Sequence, residues 1–235
     1  MLCKIAELFT EIPAAGGLAP RCVEYLCNEA IGADIVIRTE LYHPEYWPGC
    51  SDEMIAYMES GSIFYSNLLR FDGMMLHASA VEMGGRAYIF SGPCGTGKST
   101  HTRIWQQLFG EKAQVFNDDK PALRRIDGKW YAYGTPWCGK DGINQNKKVP
   151  LAGICFLKQA KENKVRKISA NEAMQNIFSQ TFYKFRKAEK LSMLLSVVDK
   201  LVREIPIFEL ENRPEPAAAR LSYETMRTAA EEMGL

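Results

Sequence analysis

Residues 92–100 read Gly92-Pro93-Cys94-Gly95-Thr96-Gly97-Lys98-Ser99-Thr100, a spacing suited to holding a polyphosphate. Phosphate oxygens are best bound by backbone amides that converge on them, and a chain bends tightly enough to present those amides only where glycines stand at the bends. Gly92, Gly95 and Gly97 supply the bends. Lys98 then reaches the β and γ phosphates, the Ser99 hydroxyl ligates Mg2+, and Thr100 sits one residue into the following helix, near the α-phosphate. Cys94 lies inside the loop, where small size is the simplest reason for it. Such a pattern arises by accident in a chain of this length on the order of one time in a hundred. The segment is therefore read as a P-loop that binds ATP with Mg2+.

Asp118 and Asp119 follow Lys98 by about twenty residues. Two adjacent carboxylates can divide the work of phosphoryl transfer, one holding Mg2+ directly or through water and the other accepting the proton of an attacking hydroxyl. An acidic turn that merely leaves a strand is the plainer reading, and the nearby phosphate loop weighs against it. Residues 134–142, Gly-Thr-Pro-Trp-Cys-Gly-Lys-Asp-Gly, combine flanking glycines with Trp137 and Lys140. A lid that closes over the site and brings the Lys140 cation to the transferring phosphoryl group would have this composition; so would an ordinary long connection.

The elements needed to position these residues are legible around them. Residues 74–83 and 86–91 read as strands joined by Gly84-Gly85, whose glycines supply positive φ. The second strand runs directly into the loop. Residues 98–108 favour helix, and 113–116 form a short apolar run of the buried-strand type. In an open α/β sheet the order strand, loop, helix, strand delivers the acidic pair to the carboxyl edge beside the phosphates. Asp127-Gly128 predicts a second hairpin between 122–126 and 129–133, and 152–157 a further strand. Ser169 with Glu172 makes a capping box, and Leu191, Leu194, Leu195, Val198, Leu201 and Val202 recur at the spacing of one buried helix face. A strand at 205–210 and a helix from about 217 to 233 follow. Residues 1–70 read as an N-terminal β-containing lobe, with strands at 35–39 and 62–69, packed on a catalytic domain of residues 71–235.

Three strings, Leu76-His-Ala-Ser-Ala-Val81, Ile89-Phe-Ser-Gly-Pro-Cys-Gly-Thr-Gly-Lys-Ser-Thr100 and Asn117-Asp-Asp119, together resemble the catalytic domain of HPr serine kinase/phosphorylase. Gly-x-x-Gly-Thr-Gly-Lys followed closely by Asp-Asp is also similar to ATP-dependent phosphoenolpyruvate carboxykinase. The resemblance covers roughly residues 74–160. It implies an α/β P-loop kinase core of the HPr kinase/phosphoenolpyruvate carboxykinase type, with a mixed sheet and flanking helices. It also implies that His77 approaches the acidic pair, that Asp119 is the base, and that Asp118 with Ser99 serves the metal. The two families do not use their pairs identically, so the two aspartates are interchangeable in these roles. The Glu-x-Arg-Gly-x-Gly loop of HPr kinases is missing, with residues 134–142 in its place, and the long N-terminal domain they usually carry is missing too. HPr is therefore not assumed as the substrate. The carboxykinases need further arginine and lysine contacts and are far longer, which argues against that activity.

Composition bounds the remaining possibilities. Lys and Arg number 29 against 28 Asp and Glu, so there is no electrostatic footprint for nucleic acid or an anionic membrane. The seven cysteines are odd in number and never spaced Cys-x-x-Cys, which argues against disulfides and zinc and suits a reducing cytosol. The first residues hold no apolar run long enough for a signal peptide or a membrane span. A soluble, cytoplasmic protein is expected. His101, one residue past Thr100, is expected to be exposed and without a role. Lys158, Lys161, Lys164, Arg166 and Lys167, with Lys184, Arg186, Lys187 and Lys190, read as a solvated basic face rather than a site for an acidic peptide.

These features together predict an ATP-dependent kinase acting on a hydroxyl of a peptide, a protein or a small metabolite. The alternative is a P-loop ATPase or nucleotide-dependent regulator with no phosphoryl acceptor. A guanine switch would carry Asn-Lys-x-Asp, and the nearest string, Asn146-Lys-Lys-Val149, lacks the aspartate. The acceptor and the oligomeric state are left open by the sequence.

Overall fold

Both two-residue turns fold as their glycines require. Gly84 and Gly85 have φ of 62° and 73°, and Asp127 and Gly128 have 49° and 80°, the left-handed pairs of type I′ hairpins. In the computed structural model, which describes residues 1–14, 16–29, 31–181 and 188–235, the first turn joins β5 (Ala78–Met83) to β6 (Arg86–Ser91) and the second joins β8 (Ala122–Ile126) to β9 (Lys129–Tyr133). A mixed, curled sheet of nine strands among the described residues grows from these hairpins. It adds β4 (Gly73–Met75), β7 (Ala113–Asp119), β10 (Lys148–Gln159), β11 (Lys164–Lys167) and β12 (Ile207–Asn212).

β10 is the branch point of the sheet. Its first residues pair with β9, its remainder lies parallel to β6, and its far end lies parallel to β12. β5 runs antiparallel to both β6 and β7, so β6 and β7 point the same way and end at one edge. Ala78 is opposite both Ser91 and Asp119, and Ser79 is opposite Asp118. Side chains alternate across the sheet. On one face Ile154 and Phe156 pack against Ile177 of α3 (Ala170–Gln180) and Leu194, Val198 and Leu201 of α4 (Ala188–Glu204). On the other, Cys155 and Leu157 pack against Ile104 and Trp105 of α2 (Lys98–Phe109) and Met226 of α5 (Pro216–Glu232).

A second, three-stranded sheet is made by β1 (Leu2–Ile5), β2 (Leu8–Glu11) and β3 (Ile35–Val36). With α1 (Asp52–Leu68) it shares an apolar core that also takes in Tyr133 and Trp137.

Several sequence expectations are corrected. In place of the strand expected at 62–69, residues 62–68 end α1 and Leu69 opens a short 3-10 turn: Ser51 caps the helix by accepting from the Met54 amide, Asp52 and Glu53 occupy its first turn, and packing outweighs the β preference of the run. The strand expected at 74–83 breaks at Leu76-His77, where the His77 amide turns to donate to the Gln180 carbonyl. The strand expected at 35–39 shortens to Ile35–Val36. Leu191 and Leu195 lie 44% and 42% exposed, so the stripe on α4 is narrower than expected.

His101 is fully buried, against expectation. Its Nε2 meets the Ser222 hydroxyl of α5 at 3.1 Å and the Trp105 indole at 3.3 Å, and burial alone pushes its pKa down to about 4. A histidine depressed in the fold stays neutral there while the unfolded chain takes up a proton below about pH 6.5. Stability contributed by this site is therefore complete above that pH and is lost as pH falls from about 6.5 to 4. The shift corresponds to about 3 kcal/mol. Urea titrations across this window should show the wild type losing that much more stability than His101→Phe; parallel losses would show that His101 is not the group responsible.

Candidate functional site

The turn after β6 owes its shape to glycine. Gly92, Gly95 and Gly97 have φ of 149°, 81° and 96°. A Cβ on Gly92 would come within 2.9 Å of Thr96 Oγ1 and 3.1 Å of the Leu157 carbonyl, so the close wrap admits nothing larger. Thr96 closes the turn by donating from its hydroxyl to the Pro93 carbonyl at 2.8 Å, and Gln159 at the end of β10 donates to the Gly95 carbonyl at 3.0 Å. The Lys98 ammonium folds back into this loop and donates to the carbonyls of Gly92 (2.8 Å) and Pro93 (3.2 Å). Burial lowers its pKa, against the opposing pull of Cys94, Asp119 and Asp118. It is a largely buried cation held by two carbonyl oxygens at the start of a twelve-residue helix.

Ser99, in the first turn of α2, donates to Asp118 Oδ2 at 2.9 Å. Asp118 is 8% exposed, and its backbone is pinned on both sides, its amide to the Ile143 carbonyl and its carbonyl by the Gly139 amide. Asp119 has φ of 96°, a left-handed conformation unusual for aspartate. Its Oδ1 meets His77 Nε2 at 3.2 Å and its Oδ2 pairs with the Lys120 ammonium. Burial works to raise the carboxyl pKa, but the His77 hydrogen bond and Lys120 together outweigh it and hold the group at about 2. His77 is itself oriented, with Nδ1 3.3 Å from Gln180 Oε1.

His77, the glycine loop, Lys98, Ser99 and both aspartates thus converge at one sheet edge, although β5 separates the strands that carry the loop and the acids. Thr100 is exposed at the surface of α2, and Cys94 is exposed in the loop. Among the described residues no three His, Cys, Asp or Glu side chains cluster as metal ligands. Ser99 and Asp118 could hold Mg2+ only together with phosphate oxygens and water, which is how Mg2+ is commonly bound.

The first half of residues 134–142 is packed into the core, and only its tip is exposed. Gly134 is buried, and a Cβ there would lie 1.8 Å from the Gln145 carbonyl oxygen, so glycine is required for this close backbone approach. Thr135 and Trp137 are fully buried; the Trp137 indole donates to Ser60 at 3.0 Å and its ring stacks on Phe64. Cys138 bridges back to Asp119, and the tip is tied to α2 by Arg103 and Asp141 at 2.6 Å. Lys140 is exposed at that tip, and no ion pair joins it to the site among the described residues.

Sequence reasoning missed Lys120, Tyr57 and Arg21. The Tyr57 hydroxyl donates to the Cys138 carbonyl at 2.7 Å and lies 3.4 Å from the Lys120 ammonium, while Arg21 donates to the same carbonyl at 2.8 Å. Both cations also lie near the Tyr57 ring, at 5.1 and 5.2 Å. Lys120 adjoins the acidic pair and could have been suspected; Tyr57 and Arg21 are brought in by packing from far along the chain. Of the basic cluster, Lys158 and Arg166 are paired with Glu209, and Lys190 donates to the Ser66 carbonyl; Lys184, Arg186 and Lys187 lie outside the described residues. No described helix is long and apolar enough to cross a membrane.

A family model described as SynChlorMet cassette protein ScmC matches residues 50–213. No curated protein matches the chain. Among solved structures, the Hpr(Ser) kinase/phosphatase from Coxiella burnetii superposes with a TM-score of 0.38 at 10% identity, over 68% of this chain and 93% of that one.

Proposed function

This chain belongs to the family of the SynChlorMet cassette protein ScmC, whose matched span contains the glycine loop, Lys98, Ser99, His77 and both aspartates, and we propose that this site is that of an ATP-dependent kinase. The observation that carries the reading is the bond from Ser99 to Asp118 at 2.9 Å. It joins the first helical turn after a glycine loop to a buried carboxylate two strands away, which is the pairing a phosphate-bound Mg2+ requires.

Each residue then has a task. The loop amides and Lys98 bind the β and γ phosphates, whose oxygens take the place of the two carbonyls that now receive the ammonium. Ser99 and Asp118 hold Mg2+, which neutralises charge on the phosphates. Asp119 accepts the proton of the attacking hydroxyl, and His77, fixed by Gln180, aims its carboxylate. The acceptor is a hydroxyl of a peptide, a protein or a small molecule, and the reading places the protein in the cytoplasm.

Water serves as a poor acceptor, so the test needs no known substrate. Incubation with ATP and Mg2+ should release phosphate slowly, with saturation in ATP and suppression by EDTA. A protein that neither releases phosphate nor binds ATP in calorimetry would refute the proposal.

A further inference from the structure

Asp119 borders a second group of charges, drawn from parts of the chain remote from the glycine loop. Arg21, on the 3-10 helix Gly16–Tyr25, is half-buried and donates from Nη1 to the Cys138 carbonyl at 2.8 Å and to its sulfur at 3.4 Å. The Tyr57 hydroxyl of α1 donates to the same carbonyl at 2.7 Å and lies 3.4 Å from the Lys120 ammonium, which pairs with Asp119. Cys138 is itself bridged to Asp119. Arg21, Tyr57, Lys120 and the candidate base therefore meet around one peptide group.

The charges in this group do not cancel. Asp119 is taken by Lys120, and Glu24, one helical turn from Arg21, is turned to the Asn146 amide at 3.2 Å. Burial pushes the pKa values of Tyr57 and Cys138 up, so both are neutral at pH 7. Among the described residues Arg21 has no acidic partner, and only Nη1 of its guanidinium is bonded. Two cations thus lie 5.1 and 5.2 Å from the Tyr57 ring with one carboxylate to serve both, an arrangement that an incoming anion relieves. The remaining donors of a guanidinium form a planar fork that fits a carboxylate or a phosphate. We propose that Arg21 binds an anionic group on the phosphoryl acceptor, which makes the acceptor class a hydroxy acid or a phosphorylated alcohol rather than a neutral alcohol; this rests on the kinase reading above. The acceptor oxygen bonds to the γ-phosphorus as the bond to the bridging β-phosphate oxygen breaks, ADP departs, and the hydroxyl proton passes to Asp119. Lys120 shields the acceptor's anion from the Asp119 charge.

The test titrates D-glycerate, glycerol 3-phosphate and neutral glycerol, followed by NMR, into the full chain saturated with Mg2+ and a non-hydrolysable ATP analogue. At least one anion should bind and glycerol should not, and the tighter anion tells whether a carboxylate or a phosphate is read. Arg21→Met should weaken that binding roughly 10- to 100-fold, the cost of losing charge-assisted hydrogen bonds. Arg21→Gln keeps a donor for the Cys138 carbonyl without the charge and should show the same loss, which separates anion binding from a clamp on that carbonyl. Arg220→Met, at an exposed position on α5, should bind the anion as wild type does. Circular dichroism checks that each variant folds. Wild type that binds the ATP analogue but neither anion, or anion binding retained in full by Arg21→Gln, would overturn the proposal and leave Arg21 as a clamp. Failure of wild type to bind the ATP analogue would instead refute the kinase reading, and the acceptor class with it.

Discussion

Lys98→Ala should lose ATP binding by roughly 10²- to 10⁴-fold and, with it, all measurable ATP-dependent phosphate release. The lysine is 8% exposed and its ammonium donates to the carbonyls of Gly92 and Pro93. A cation in such surroundings is costly to bury, which the lowered pKa reflects, and phosphate oxygens would satisfy it far better than two neutral acceptors. Removing it leaves the anionic charge facing loop amides alone. Loss of one partner from a buried charge pair costs about 3–5 kcal/mol, and that cost sets the range given. Calorimetry with ATP and Mg2+ measures the binding, and a colorimetric phosphate assay measures the turnover. The fold should survive, because Lys98 holds no element in place and alanine favours the helix it begins. A variant that still binds ATP as wild type does would mean that the ammonium is a structural plug for the loop and no phosphate ligand.

The parts of this site that could be read from the sequence are those in which partners are close in the chain. The glycine loop, Lys98 and Ser99 fall within eight residues, and the Gly84-Gly85 and Asp127-Gly128 turns declare their positive φ locally. The mixed α/β arrangement followed from those pieces in order. What could not be read depended on distant packing. His101 is buried because α5 brings Ser222 to it from 121 residues away, and nothing around position 101 signals that. The glycines at 134 and 142 resembled hinges, yet Gly134 exists to clear the Gln145 carbonyl, a contact that periodicity cannot reveal. Residues 62–69 contain Ile63, Phe64 and Tyr65, which favour strands in isolation, and burial of this run against Trp137 and the N-terminal sheet decides for helix. The partners of Asp119 divide in the same way: Lys120 is its chain neighbour, while His77 reaches it only because β5 pairs with β7.

The acidic pair is where binding and chemistry should separate. Asp119→Asn keeps the size of the side chain and its hydrogen bond to His77 but removes the proton acceptor, so ATP affinity should stay near wild type while turnover falls roughly 10²- to 10⁴-fold, the usual contribution of a positioned acid or base. A carboxylate held at about 2 by His77 and Lys120 is always ionised at neutral pH and is a weak base. That is compatible with a loose phosphoryl-transfer transition state, in which the acceptor proton is needed little until the new bond has largely formed. Asp118→Asn should behave differently. Its carboxylate receives the Ser99 hydroxyl at 2.9 Å and would face the metal, so its loss should raise the Mg2+ concentration for half-maximal rate, and added Mg2+ should restore part of the turnover. Phosphate release at varied Mg2+, with ATP affinity measured in parallel, separates the two outcomes. A rise in Mg2+ requirement for Asp119→Asn together with a pure turnover defect for Asp118→Asn would exchange the two roles. Wild-type turnover and wild-type Mg2+ dependence in both variants would leave the pair as no more than the turn that ends β7, and the site as one that binds nucleotide without transferring its phosphate.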